Sequence, residues 1–248
     1  LLASSAASDV YKRQVFACSM YNIQHTVTPV NGKLQVKLEC ERPDVEIRYT
    51  MDGKEPTDRS LLYKSPLMVT GTQTIKCTTY RAGRQMGKTL TLPLVWNKAT
   101  AKPVLGNTQA GKILVNGIRG SLRQSDFEWH SWESSDSVAF TIDLQKKESL
   151  RSVSVGCITN YGMAAHKPAD IEVWVSNDNR DYRKVSGKQF TDGEIFREGT
   201  FKEDVVLDLN KEIGRYVRII AKGAGECPAT HVRPRQEARI YFDEVMIE

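Results

Sequence analysis

An all-β fold built as two β-sandwiches in tandem is what this sequence predicts, on three observations. Apolar residues recur with period two, as in Leu34/Val36/Leu38/Cys40, Ile75/Cys77/Thr79, Val138/Phe140/Ile142/Leu144, Val153/Val155, Ile171/Val173/Val175 and Val205/Leu207/Leu209. That spacing is the signature of strands buried on one face. Helical periodicity is hard to find anywhere in the chain, and Gly, Pro, Asn and Asp clusters separate the apolar runs at short intervals, as in sandwich folds. A length of 248 residues with 40% hydrophobic content holds one large or two ordinary domains.

Taken in order, the elements support that reading. Val36, Leu38 and Cys40 alternate with Lys37, Glu39 and Glu41, which gives a half-buried strand. Arg42-Pro43-Asp44 breaks it, and Val45, Ile47 and Tyr49 begin a second strand with Glu46, Arg48 and Thr50 facing out. The pair reads as a β-hairpin within a sandwich, and Asp52-Gly53 supplies the positive-φ residues of a tight turn. A further strand runs from Thr74 to Tyr80. The first domain is expected over residues 15–97, with Trp96 packing at the end of its last strand. Residues 98–111, containing Pro103, Gly106 and Asn107, read as a linker, and the second domain occupies residues 112–248.

Composition narrows the function. Mean hydropathy is −0.43 and no long apolar run occurs, so no membrane span is expected in this portion. The formal net charge of +5 is spread over interleaved charges, with no block of the kind that marks a nucleic-acid arm. Arg233, Arg235 and Arg239, with Glu237 among them, form the densest basic patch, which reads as a solvated loop or a sugar- or anion-contacting one. The five cysteines (Cys18, Cys40, Cys77, Cys157, Cys227) cannot all pair and include no CxxC or zinc-type spacing. Cys40, Cys77 and Cys157 sit at strand positions that suit buried thiols, and a Cys40–Cys77 bridge stays open.

Three resemblances follow from particular motifs. Ser4–Gln14, SSAASDVYKRQ, is similar to a translated sequencing-library adapter. Residues 1–14 are therefore expected to be an artefactual tail outside the fold. The run Ile47-Arg48-Tyr49-Thr50 with Asp52-Gly53 and Glu55-Pro56-Thr57, followed by Ser60, Tyr63 and Pro66, resembles the C-terminal β-domain of chitobiase/hexosaminidase enzymes. That resemblance implies an immunoglobulin/fibronectin-like sandwich. Several secreted glycosidases, some α-L-fucosidases among them, carry the same module.

Ile171–Val175 with Ser176-Asn177-Asp178-Asn179-Arg180-Asp181-Tyr182 resembles the strand–turn motif of discoidin-like domains, also called factor 5/8 type C or carbohydrate-binding module family 32. Asn179 stands where that family prefers Gly, which the left-handed tolerance of Asn can absorb. Gly214–Ile220 and Tyr241–Val245 resemble its later strands, and Leu114–Glu133 resembles the version found in Bacteroidetes-type β-N-acetylhexosaminidases of glycoside hydrolase family 20. The fold implied for the second domain is a discoidin-like jelly roll. The module order implies a non-catalytic accessory portion of such an enzyme, with the catalytic barrel upstream and a periplasmic or secreted/cell-surface location. The tail of another exo-glycosidase such as an α-L-fucosidase, and a carbohydrate-binding or adhesion protein with no enzyme domain, remain the rivals.

Within this chain no catalytic residue is assigned, and Asp243-Glu244, its one adjacent Asp-Glu pair, reads as structural or ion-binding. The resemblance implies a structural Ca²⁺ with Asn116, Ser121, Asp126 and Glu244 as ligands, or a metal-free version held by hydrogen bonds. The implied partners are glycans with terminal N-acetylhexosamine or galactose-type sugars, whose rings stack on aromatics while polar groups fix the hydroxyls. His130 and Trp132 in one loop, and Asn160, Tyr161 and His166 in another, are the candidate contacts. Trp129 reads as core, His130 and Trp132 are open between contact and packing, and His166 is expected at the surface.

Overall fold

The computed structural model describes residues 20–107, 109–133 and 137–248. The expected tail 1–14, the start of the first domain and Cys18 lie outside the described residues. The chain divides into two compact units, one ending at Val95 and the other running from Trp96 to Glu248.

The first unit holds two antiparallel sheets. One is β1 (Gln24–Val30), β2 (Lys33–Glu39) and β5 (Leu67–Val69); the other is β4 (Leu61–Leu62), β3 (Glu46–Thr50), β6 (Gln73–Arg81) and β7 (Arg84–Gln85), with β8 (Leu90–Leu94) also on β6. Leu34, Val36 and Leu38 of β2 and Ile75 and Cys77 of β6 are buried, as their alternation requires. The expected hairpin from residue 36 to residue 50 is instead a crossing between sheets. Arg42-Pro43-Asp44 ends β2, and the chain re-enters on the other sheet as β3, whose partner is β6 from Glu46↔Tyr80 to Thr50↔Lys76. Gly53 has the expected positive φ of 77°, yet the turn opens a longer excursion that rejoins β3 only at Leu61 and Leu62. Tyr63 hydroxyl accepts the Leu38 amide at 3.1 Å, tying that excursion to β2. Cys40 and Cys77 are free thiols, and Cys40 Sγ donates to the Met20 carbonyl at 3.3 Å, so no bridge forms.

In the second unit two long strands, β11 (Ser137–Asn160) and β14 (Thr200–Lys222), pair along most of their length. The ladder is interrupted between Asp143 and Glu148 and again between Leu150 and Ser152, where Gln145, Asn210 and Lys211 take positive φ values. Those breaks fold the pair over on itself. The first half of β11 meets β9 (Val104–Leu105) and the last part of β14, which also carries β12 (Asp170–Ser176) and then β13 (Arg183–Gln189). The second half of β11 meets β15 (Arg239–Ile247), which carries β10 (His130–Glu133). Phe140, Ile142, Val155, Val173, Leu207, Ile219 and Phe242 form one buried core between the halves. Asn179 sits at φ 64° in the β12–β13 turn, the left-handed conformation expected of it.

The segment 98–111, expected as a linker, belongs to this second unit. Lys98 N–H donates to the Ile247 carbonyl at 3.1 Å, Asn97 Oδ1 accepts the Ile247 amide at 3.2 Å, and β9 pairs with β11. Its Pro and Gly residues shape an edge that is hydrogen-bonded to the sheet. Trp96, expected as the last packing residue of the first domain, also falls in this unit.

Candidate functional site

Two arrangements in the second unit carry chemistry. The first is a buried carboxylate centre. Phe242 and Val245 of β15 pair with Cys157 and Val155, so Asp243 and Glu244 together oppose the single residue Gly156. Such a two-for-one bulge lets successive side chains leave the normal alternation. Both carboxylates are without exposed surface. A Cβ on Gly156 would overlap Asp243 Oδ1, so the glycine makes the room. Asp243 Oδ2 accepts Arg119 Nε at 2.8 Å and the Gly120 amide at 2.9 Å, and Arg119 also pairs with Asp204. Burial raises the Asp243 pKa, and the Arg119 bond only partly offsets it.

Glu244 Oε2 accepts the Gly117 amide at 3.1 Å, whereas its Oε1 is buried with no hydrogen-bond partner. Burial pushes Glu244 well above the usual carboxylate range, and neighbouring Asp243 adds to the shift. Asn116, next to Gly117 in the chain, is buried and donates from Nδ2 to Glu128 Oε2 at 2.7 Å. That unpartnered Glu244 oxygen is the group a hard cation would satisfy. Of the four expected ligands, Glu244 holds the amide that follows Asn116, whose own Oδ1 accepts the Ile118 amide at 2.9 Å. Ser121 and Asp126 instead bond each other, Asp126 Oδ2 accepting the Ser121 amide at 3.0 Å. Glu128, which accepts the Asn116 side-chain amide, was not among the expected residues. With neither Asp243 nor Glu244 reaching solvent, the pair is closed to a substrate.

The second arrangement is the loop end. Asn160, the last residue of β11, donates to Gln124 Oε1, which ties the 121–129 loop to the turn at Tyr161–Met163. Arg233 Nε donates to the Gly162 carbonyl and so ties that turn to the segment before β15. Three loops thus converge. They expose Phe127 (93%), Val232, Leu122 and Met163, a concentration of large apolar side chains in water. Gln124, Asn160 and Arg233 supply polar groups among them. Trp129 is buried, with Nε1 donating to the Ser121 carbonyl at 3.0 Å, and the Cα of Gly120 lies against its ring.

Asn160 ends β11 and Tyr161 opens the turn that follows it, so both lie at the loop end. His166 does not: it is 1% exposed, because its backbone N–H joins the Arg239 carbonyl and its ring packs beneath Tyr161. His130 and Trp132 lie in strand β10 and not in a loop. Trp132 stacks on Phe140 at 6.2 Å and tilts against Phe242 at 5.4 Å, while His130 abuts Trp132 at 4.3 Å. The basic patch also divides, Arg233 serving the loops and Arg239 pairing with Glu133.

The F5/8 type C domain model matches residues 98–233 of this chain. The chain belongs to that family. Ahead of this F5/8 type C domain, residues 28–91 match the Chitobiase/beta-hexosaminidase C-terminal domain. No curated protein matches the chain. Similar solved structures include a fucose-binding module of Streptococcus pneumoniae, at 18% identity over 61% of this chain and 94% of that one, with a TM-score of 0.40. A family 32 carbohydrate-binding module from a family 31 glycoside hydrolase of Clostridium perfringens is 18% identical over 48% and 75%, with a TM-score of 0.33. The C-terminal domain of a Bacteroides fragilis chitobiase is 13% identical over 53% and 76%, with a TM-score of 0.30. Among the described residues no helix is long and apolar enough to cross a membrane.

Proposed function

We propose that the F5/8 type C domain binds glycans through its loop end, and that the chain serves as a non-catalytic accessory portion of a glycoside hydrolase outside the cytoplasm. The observation that carries this is the convergence of three loops that expose Phe127, Leu122, Met163 and Val232 around Gln124, Asn160 and Arg233. A pyranose ring offers apolar C–H faces to such side chains and hydroxyls to such amides. The finer reading is a β-N-acetylhexosaminidase acting on terminal N-acetylglucosamine or N-acetylgalactosamine, supported by the hexosaminidase-type domain at residues 28–91. Ca²⁺ at Glu244, Glu128 and Asn116 would neutralise the buried carboxylates and hold the base of the 116–128 loop.

An open loop surface buries little of a sugar, so affinity should be on the order of millimolar, about −4 kcal/mol. Galactose, N-acetylgalactosamine and N-acetylglucosamine are titrated into the protein while amide shifts are followed. Saturable shifts in the three loops, lost in Phe127→Ala, are expected. Shifts that survive Phe127→Ala unchanged would move the site elsewhere.

A further inference from the structure

Beneath the loop end lies a cluster of soft donors that glycan stacking does not use. His166, Cys227 and His231 are each at most 3% exposed. They come from segments far apart in the chain. His166 follows the Tyr161–Met163 turn, whereas Cys227 and His231 precede β15. Backbone bonds fix the latter segment, with Cys227 N–H donating to the Gln236 carbonyl at 2.8 Å and His231 N–H to the Pro228 carbonyl at 2.9 Å.

One donor atom from each residue lies within 4.8 Å of the other two, and the two Nε2 atoms are 3.2 Å apart. A tetrahedral zinc ion, with Zn–N near 2.0–2.1 Å and Zn–S near 2.3 Å, separates its ligands by roughly 3.3–3.6 Å. The nitrogens already have about that spacing, and any further closure is at most about an ångström.

The surroundings agree. His166 Nδ1 lies 3.1 Å from the Ile195 carbonyl and donates to it, so its Nε2 presents a lone pair. A carbonyl on the far nitrogen is the outer support that metal-bound histidines need. His231 Nδ1 accepts the Arg233 amide at 3.0 Å, which leaves its Nε2–H to donate to His166. Ala164 and Ala238, with Phe196 and Ala224 packed alongside, form an apolar shell at Cys227. Two imidazoles and a thiolate select a borderline-soft ion over the hard cation suited to the carboxylate centre.

We propose that His166, Cys227 and His231 form a zinc site that staples the 161–166 turn to the 227–239 segment. On binding, the Cys227 thiol gives its proton to solvent as the zinc–sulfur bond forms, one proton per ion. The His231 proton moves from Nε2 to Nδ1, which releases the Arg233 amide. No electron is transferred, and a water fills the fourth position. The inference stands independently of glycan binding.

The full chain, stripped with a chelator, is titrated with Zn²⁺ and separately with Co²⁺. One equivalent should bind, Co²⁺ should give a thiolate-to-metal charge-transfer band with tetrahedral ligand-field bands, and the Arg233 amide resonance should move. Cys227→Ala, a small change in an alanine-lined pocket, should remove the band and weaken zinc binding at least about 100-fold. Absence of the band in the natural sequence, or its persistence in Cys227→Ala, would overturn the proposal. Should that variant not fold, His231→Gln takes its place: lost zinc binding supports the site, and retained affinity overturns it.

Discussion

Replacing Arg119 with alanine should destabilise the F5/8 type C domain by about 3–4 kcal/mol near pH 7, and the loss should shrink as pH falls. Asp243 has no exposed surface and accepts one side-chain bond, from Arg119 at 2.8 Å. The variant keeps the Gly120 and Glu244 amides on Asp243 but removes the guanidinium that pairs with it. Breaking a buried ion pair from one side costs about 3–5 kcal/mol. Protonating Asp243 limits that cost, because a neutral carboxyl needs no cationic partner. Burial already raises the Asp243 pKa in the fold. Its contribution is therefore most favourable below the unfolded pKa and is lost as pH rises through the folded one. Removing Arg119 moves that folded value higher still, so the penalty should decline by about 1.4 kcal/mol per unit as pH drops. Urea unfolding at about pH 7 and about pH 5, followed through amides of residues 96–248, measures both quantities. A loss below about 1 kcal/mol, or an equal loss at the two pH values, would refute the reasoning.

Gly156→Ala should cost about 1–3 kcal/mol, because the added methyl overlaps Asp243 Oδ1, whereas Gly193→Ala, with nothing within 4 Å, should be neutral or stabilising; thermal unfolding compares them. Trp132→Ala should cost about 2–4 kcal/mol through lost contact with Phe140 and Phe242, and a denaturation midpoint unchanged from the natural sequence would return Trp132 to the role of a surface contact. In metal-free protein His166, drawn down to about 4 mainly by burial, is neutral in the fold while the unfolded chain protonates near 6.5. Its contribution is therefore full above about pH 6.5 and lost as pH falls towards about 4, a span of about 3 kcal/mol that His166→Gln should remove from the stability profile.

The strands were legible because their alternation is a local property. Val138, Phe140 and Ile142 are buried on one face as period two requires, and Asn179 adopts the left-handed turn that its place after β12 demands. What escaped was set by distant partners. The crossing from β2 to β3 depends on which sheet each strand joins, and nothing in Arg42-Pro43-Asp44 encodes that. Residues 98–111 look like a linker because Pro103 and Gly106 punctuate them, yet their amides and carbonyls find the Ile247 and Ile142 region of the sheet. The resemblance of Leu114–Glu133 to a Trp-containing loop implies a loop at His130 and Trp132, whereas pairing with Arg239–Phe242 makes them a strand. Glu128 and Phe127 carried weak signals, an acid and an aromatic in a polar loop, and only the fold shows one facing Asn116 and the other facing water.

Sugar binding at the loop end is decided by a titration with galactose, N-acetylgalactosamine and N-acetylglucosamine monitored by amide shifts. Saturable shifts at about millimolar sugar, confined to the 121–129 loop, the Tyr161–Met163 turn and the Val232–Arg233 segment, are expected. Absence of any loop shift with all three sugars, in protein supplied with Ca²⁺, would contradict it.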